Sequence, residues 1–178
     1  MVATKHTLVA LVQDKPGVLN RMASLFRRRG FNIDSIAVGH SETPDLSRVT
    51  IVVDGATTMV EQVRKQLDKV IDVVKVVDIT GDSITVRELA LIKVRATSAT
   101  RSEIIEIVDI FRANIVDVGA DSLTIEITGD EDKVDALLNL LRGFGIREIA
   151  RTGRIAMVRG GVGSLPAAEK TPRTRSKK

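Results

Sequence analysis

The chain has 178 residues, enough for one ordinary domain or two small ones, and contains no Cys, Trp or Tyr and only two His. Disulfides, thiolate catalysis, Cys-ligated zinc and His-rich metal sites are therefore excluded. The formal net charge of +4 is carried by residues 160–178, where Lys170, Arg173, Arg175, Lys177 and Lys178 oppose only Glu169, so residues 1–159 are neutral.

A neutral body whose only aromatics are four Phe lacks the stacking platform that single-stranded nucleic acid needs. No stretch approaches the ~20 apolar residues of a membrane span. The early apolar run Thr7–Val12 is too short for a signal-peptide core and gives way to Gln13 and Asp14. A soluble, cytoplasmic protein without nucleic-acid or membrane partners is expected.

Thr7–Val12 reads as a strand, and the turn Asp14-Lys15-Pro16-Gly17-Val18-Leu19 follows it. Pro16 suits a first helical turn. Helix 1 then carries Val18, Met22, Leu25 and Arg29 on one stripe, with Leu19 and Phe26 beside it, and Gly30 is expected as its left-handed cap. Phe31–Val38 reads as a second strand, Thr43-Pro44-Asp45 as a turn and Arg48–Val53 as a third strand. Thr58 and Glu61 have capping-box spacing ahead of a helix with Met59, Val63, Leu67 and Val70 on one face and an i,i+4 pair, Glu61 and Lys65. Val73–Ile79 completes a βαββαβ order, punctuated by Gly81-Asp82-Ser83.

The order then recurs. Leu89–Val94 is a strand, and Thr100 to Glu103 is a second capping box. A helix striped by Ile104, Ile107, Val108 and Phe111 comes next, then strands at Asn114–Val118 and Ser122–Thr128. Asp130 is expected to cap a helix with Val134, Leu137, Leu138 and Leu141, which Gly143 ends before a closing strand, Ile146–Ala150. Gly55 and Gly129, Val60 and Val134, and Leu67 and Leu141 are each 74 residues apart, so two copies of one unit fit better than a single domain. The expected division is residues 1–80, residues 81–159 and a disordered basic tail, residues 160–178. His6 and His40 are read as surface residues. The strands are apolar on both sides, as in Val73–Ile79, so faces or edges of the sheets are expected to be covered by the sister domain, a second copy or another protein.

Right-handed crossovers put both helices of such a unit on one face of its sheet. An RNA-binding version would need aromatics where the central strands carry Val and Ile. A metal-carrying version would need Cys in the first turn. An acylphosphatase-like enzyme would need an Arg-bearing phosphate loop there, whereas Arg21 already lies within the helix. What remains is a module for a small zwitterion. The amides of Gly17, Val18 and Leu19 at the positive end of a helix offer a seat for a carboxylate, and Asp14 an acceptor for an ammonium. The plainer reading stands beside it: Asp14 caps the helix and Gly17 makes the turn.

Asp14-Lys15-Pro16-Gly17-Val18-Leu19 resembles the D-x-P-G-x-L turn of ACT domains, the amino-acid-sensing modules of regulated biosynthetic enzymes. The stretches Arg29–Ser35, Leu46–Ile51, Arg87–Val94, Phe111–Val118 and Arg151–Ala156 resemble, in order, the regulatory (small) subunit of acetohydroxyacid synthase, or acetolactate synthase. The resemblance implies an α+β fold of two tandem ferredoxin-like βαββαβ domains, an effector-binding ACT domain and a related C-terminal domain. It implies a homodimer that does no chemistry and binds no cofactor. Such a subunit activates a catalytic subunit that uses thiamine diphosphate, Mg²⁺ and usually FAD, and confers feedback inhibition by branched-chain amino acids, most often valine. It implies that Asp14, Gly17, Val18 and Leu19 of one chain meet Asn32 and Ile33 of its neighbour around the effector; some relatives carry Asn at the place of Asp14. A stand-alone amino-acid sensor with a different partner is the alternative. Thr97-Ser98-Ala99-Thr100 replaces the turn in the second repeat, which is therefore assigned to assembly.

Overall fold

Every residue of the first strand from His6 to Val12 is buried, on both of its faces. The alternation of a half-exposed strand is absent from this strand, β1 (Lys5–Gln13), which lies inside a sheet between two neighbours. The computed structural model describes residues 5–160; the expected basic tail falls, beyond Gly160, outside the described residues. After β1 come α1 (Val18–Arg28), β2 (Ile33–His40), β3 (Leu46–Asp54), α2 (Thr57–Leu67) and β4 (Val73–Asp78). The second repeat contributes β5 (Ile84–Arg95), α3 (Arg101–Ile110), β6 (Asn114–Val118), β7 (Ser122–Gly129), α4 (Glu131–Leu141), β8 (Ile146–Arg151) and β9 (Ile155–Val158). The sheets have the orders β2-β3-β1-β4 and β6-β7-β5-β8, with β9 paired to β5. Both are antiparallel ladders with matching topology, two ferredoxin-like βαββαβ repeats. Val86–Ile155 forms one unit, and the described residues on either side form the other.

In the first unit, Leu8, Ala10 and Val12 of β1 meet Val18, Met22, Leu25 and Phe26 of α1 and Val60, Val63 and Leu67 of α2 in one core. Val9, Leu11 and Val52, on the other face of that sheet, are also buried. The second core joins Ala90, Ile92 and Val94 to Ile104 and Val108 of α3 and to Val134, Leu137, Leu138 and Leu141 of α4. α1 ends as its sequence predicts. Gly30 has φ +69°, its N–H donates to the Arg27 carbonyl at 3.1 Å, and the Phe31 N–H donates to the Phe26 carbonyl at 3.1 Å. That bond pair is a Schellman motif. Asp130 caps α4 by accepting the Lys133 N–H at 3.0 Å.

Several expectations need correction. Neither capping box forms. Ala56 is the N-cap of α2, Thr58 lies inside its first turn, and Arg64 takes both oxygens of Glu61 at 2.8 Å. The Thr100 hydroxyl accepts the Thr97 N–H instead of a helical one. Met59 is 45 % exposed and Val60 takes its place in the core, one helical turn before Val63 and Leu67, which are buried as expected. A 3-10 turn, Arg142–Phe144, carries α4 past Gly143 to Gly145, whose φ is +93°. His6 is buried, with Nδ1 3.3 Å from Asp78. β9 is an additional strand, held in part by the Arg159 N–H donating to the Ser83 carbonyl at 2.8 Å.

Candidate functional site

The turn that leaves β1 is fixed by backbone bonds on both sides. The Gln13 N–H donates to the Asp72 carbonyl at 2.8 Å and the Asp14 N–H to the Asp45 carbonyl at 2.9 Å. The chain then reverses, with the Lys15 N–H donating to the Gln13 carbonyl at 3.0 Å. Pro16 precedes the helix rather than opening it. The N-cap is Gly17, in the left-handed region at φ +88°, where an L side chain is strained even though a Cβ would meet nothing within 4 Å.

The helix therefore begins without a side-chain cap. Asp14 is not the cap that the plainer reading made it. Among the described residues, the N–H groups of Gly17, Leu19 and Asn20 have no partner, as the start of an α-helix dictates. Val18 differs: its N–H makes a long 3.4 Å bond to the Lys15 carbonyl and its side chain is in the core. Leu19, expected beside the buried stripe, is 46 % exposed and stands at the mouth of the turn. The result is a set of outward amides at the positive end of a helix, bordered by one apolar side chain.

The Asp14 carboxylate lies at the rim, half exposed, with Oδ2 3.4 Å from Nδ1 of His40 at the end of β2. His40 is thus part of the rim, which the sequence reading missed. Arg21, one turn into α1, forms an ion pair with Asp72, whose side chain is only 11 % exposed. The Asp72 carbonyl already holds Gln13, so this one residue ties the start of α1 and the end of β1 to the entry of β4. The link was invisible in sequence because the partners stand far apart along the chain.

Asn32 and Ile33 are not brought to this turn within one chain. β2 runs parallel to β1, since both pair antiparallel with β3. His40 pairs with Ser47 at the turn end of the sheet, and Ile33 pairs with Val53 at the other end. At ~3.3 Å per residue the two ends of β2 are about 23 Å apart. Asn32 is exposed and makes no hydrogen bond among the described residues. β2 is also an edge strand, with Ile36 and Val38 41 % and 46 % exposed.

The second repeat preserves the frame and changes the turn. The Arg95 N–H donates to the Gly145 carbonyl at 2.9 Å and the Ala96 N–H to the Asp121 carbonyl at 3.0 Å, matching the bonds of Gln13 and Asp14. Its turn then closes on itself at the N-cap, while the N–H groups of Ser102 and Glu103 have no partner among the described residues. The Thr97 N–H goes to the Thr100 hydroxyl at 3.1 Å, and the Thr100 and Arg101 N–H groups go to the Thr97 carbonyl at 3.2 and 3.0 Å. Among the described residues, no three His, Cys, Asp or Glu are placed to hold a metal ion, and no helix is long and apolar enough to cross a membrane.

Comparison with known proteins agrees across both repeats. Residues 8–75 match the model of the AHAS small subunit-like ACT domain, and residues 87–160 match that of the small subunit of acetolactate synthase. A probable acetolactate synthase small subunit of Archaeoglobus fulgidus is 60 % identical over 156 residues, covering 88 % of this chain and 98 % of that one. The acetolactate synthase small subunit of Bacillus subtilis is 51 % identical over 158 residues, covering 88 % and 91 %. The crystal structure of the acetolactate synthase small subunit from Thermotoga maritima superposes with a TM-score of 0.82 at 48 % identity, covering 89 % of this chain and 99 % of that one. With an ACT turn in its first repeat and both family models matched along its length, the chain belongs to the acetolactate synthase small-subunit family.

Proposed function

We propose that the chain is the regulatory subunit of an acetolactate synthase: it activates a separate catalytic subunit and makes it responsive to valine or another branched-chain amino acid. The observation that carries this reading is the turn itself, with free amides at Gly17, Leu19 and Asn20 beside the Asp14 carboxylate. The amides suit the α-carboxylate of a free amino acid, Asp14 its ammonium, and Leu19 a branched side chain. Charge-assisted hydrogen bonds contribute ~1.5–3 kcal/mol each. Burial of an isopropyl group contributes ~1.5–3 kcal/mol.

The site is completed by a second copy. If two chains pair their β2 edges antiparallel about a two-fold axis, Ile33 of the partner subunit falls beside this chain's His40, at the end where Asp14 stands. Asn32 of the partner subunit then reaches the turn. A ligand seated between two chains biases their arrangement, and through it the catalytic subunit, by ~1–3 kcal/mol in typical coupling. Thiamine diphosphate, Mg²⁺ and FAD chemistry belongs to that catalytic partner in this reading, and the chain itself holds no catalytic group.

The test is acetolactate formation by the purified catalytic subunit with and without this chain, across a valine, leucine and isoleucine series. A higher rate on addition, lowered again by one of the three, supports the reading. An unchanged rate refutes it.

A further inference from the structure

The cations of the first unit are unevenly engaged. Lys5 pairs with Asp34, Arg21 with Asp72, and Arg64 and Lys65 with Glu61. Arg27, Arg28 and Arg29 are three successive exposed guanidinium groups at the C-terminal end of α1, and none has a side-chain partner among the described residues. Arg28 and Arg29 line an open groove between α1 and α2 of about 310 Å³, walled by Leu25 and closed by the Gln66 amide. A helix dipole favours a cation in the last turn. It does not account for three of them, two set around a groove with an apolar wall. Arginine is the cation of choice for planar, two-pronged recognition of carboxylates at an interface.

We infer that this end of α1 is the surface that docks the catalytic subunit, through carboxylates of that subunit seated against Arg28 and Arg29. The inference rests on the proposed role as a regulatory subunit, which supplies the partner. Charge selects that partner over a second copy. A two-fold contact places the same patch on both sides. Three arginines would then face three arginines, and like charges across an interface oppose association. The Asp14 turn stands at the other end of α1, about 16 Å away at ~1.5 Å per residue, so docking at the C-terminal end leaves the amides of that turn open.

The test uses the full chain and the purified catalytic subunit. Arg28→Glu/Arg29→Glu, Arg28→Lys/Arg29→Lys and the unaltered chain are compared by biolayer interferometry from 50 to 300 mM KCl. The mass in solution and the thermal midpoint are recorded for each. The expected result is a weakening of catalytic-subunit binding by tenfold or more in the glutamate variant, near-normal binding in the lysine variant, and a salt dependence that the glutamate change flattens. Mass and midpoint stay unchanged. Equal binding by the glutamate variant at an unchanged midpoint overturns the inference while the regulatory role stands. Failure of the unaltered chain to bind the catalytic subunit overturns both. Saturable binding of inorganic pyrophosphate that the glutamate variant loses, with catalytic-subunit binding intact, assigns the groove to a small anion and overturns the docking role.

Discussion

The turn after β1 and the turn after β5 occupy the same place in two copies of one fold and differ in what they do with the N-cap amide of the helix that follows. Both hang from the same pair of bonds, Gln13 to Asp72 and Asp14 to Asp45 in the first copy, Arg95 to Gly145 and Ala96 to Asp121 in the second. In the first copy, Gly17 in the left-handed region aims the chain into α1 with amides left open. In the second, the Thr97 carbonyl takes the N–H of the N-cap Thr100 as well as that of Arg101, the Thr100 hydroxyl holds the Thr97 N–H, and Arg101 reaches across to the Gly119 and Ala120 carbonyls, each at 2.9 Å, while the N–H groups of Ser102 and Glu103 stay without a partner among the described residues, as do those of Leu19 and Asn20. A binding seat is thus not a property of the βαββαβ frame. It depends on whether the residues of one turn spend their hydrogen bonds on each other or leave them for a ligand.

The largest effect is expected from closing the open turn. Gly17→Asp places a carboxylate where the ligand's own would sit, at a backbone position that Asp tolerates better than most residues. Calorimetric titration with valine should then give no heat, while the strain lowers stability by only about 1 kcal/mol. Gly17→Asn, isosteric and neutral, separates charge from conformation: it should retain part of the affinity. Normal valine binding by the Asp variant would remove the turn from the site.

Asn32→Ala tests the other half of the seam. Among the described residues Asn32 makes no hydrogen bond, so its loss should change stability by less than the ~0.5 kcal/mol typical of surface changes, read as a thermal midpoint. Valine affinity should fall about tenfold, the worth of one good hydrogen bond to a charged group. Activation of the catalytic subunit should survive. A large loss of stability would recast Asn32 as a structural residue ahead of β2.

These variants also mark where the sequence was legible. The order of strands and helices was readable because both cores rest on strong periodicity: Val134, Leu137, Leu138 and Leu141 are all buried as spaced. Asp130 and Gly30 were readable because each acts within five residues of itself. The capping boxes were not. Thr58 and Thr100 have the right spacing, but Arg64 engages Glu61 and the Thr97 turn engages Thr100. His6 was misread as a surface residue and the ion pair of Arg21 was not readable, because their partners, Asp78 and Asp72, are adjacent only once β4 lies beside β1. Asn32 and the turn lie at opposite ends of the sheet, so the site proposed above needs a second chain.

A smaller effect follows from the two arginines that brace the turns. Arg21→Ala leaves the largely buried Asp72 carboxylate without its cation. Because Arg21 is itself half exposed, water offsets part of the loss, and about 1–2 kcal/mol of stability should go. Asp72 also anchors Gln13, so valine affinity should weaken in the same variant. Arg101→Ala removes only bonds to two carbonyls that water can reach, and it should leave valine binding untouched. Equal effects of the two substitutions on valine would undo the distinction between the repeats.

The smallest effect contrasts how α2 and α4 are held. α4 relies on Asp130 as a cap, whereas the N-terminal half of α2 is uncapped and carries Glu61 in a two-pronged bond with Arg64. That bond, more than the added attraction of Arg64 and Lys65, holds the Glu61 carboxyl down at about 2 from an ordinary value of 4.5. A carboxyl with a lowered folded-state pKa binds its proton more readily in the unfolded chain, so stability rises with pH across the interval between the two values. The contribution is complete above about pH 4.5 and vanishes as the pH falls through about 2. Glu61→Gln should therefore lower the thermal midpoint slightly at pH 7, less than any variant above, since the pair is exposed and salt screens it. The gap between the two proteins should narrow steadily from pH 4.5 to 2. A gap that stays constant across that range would mean that Glu61 supports α2 by packing rather than by charge.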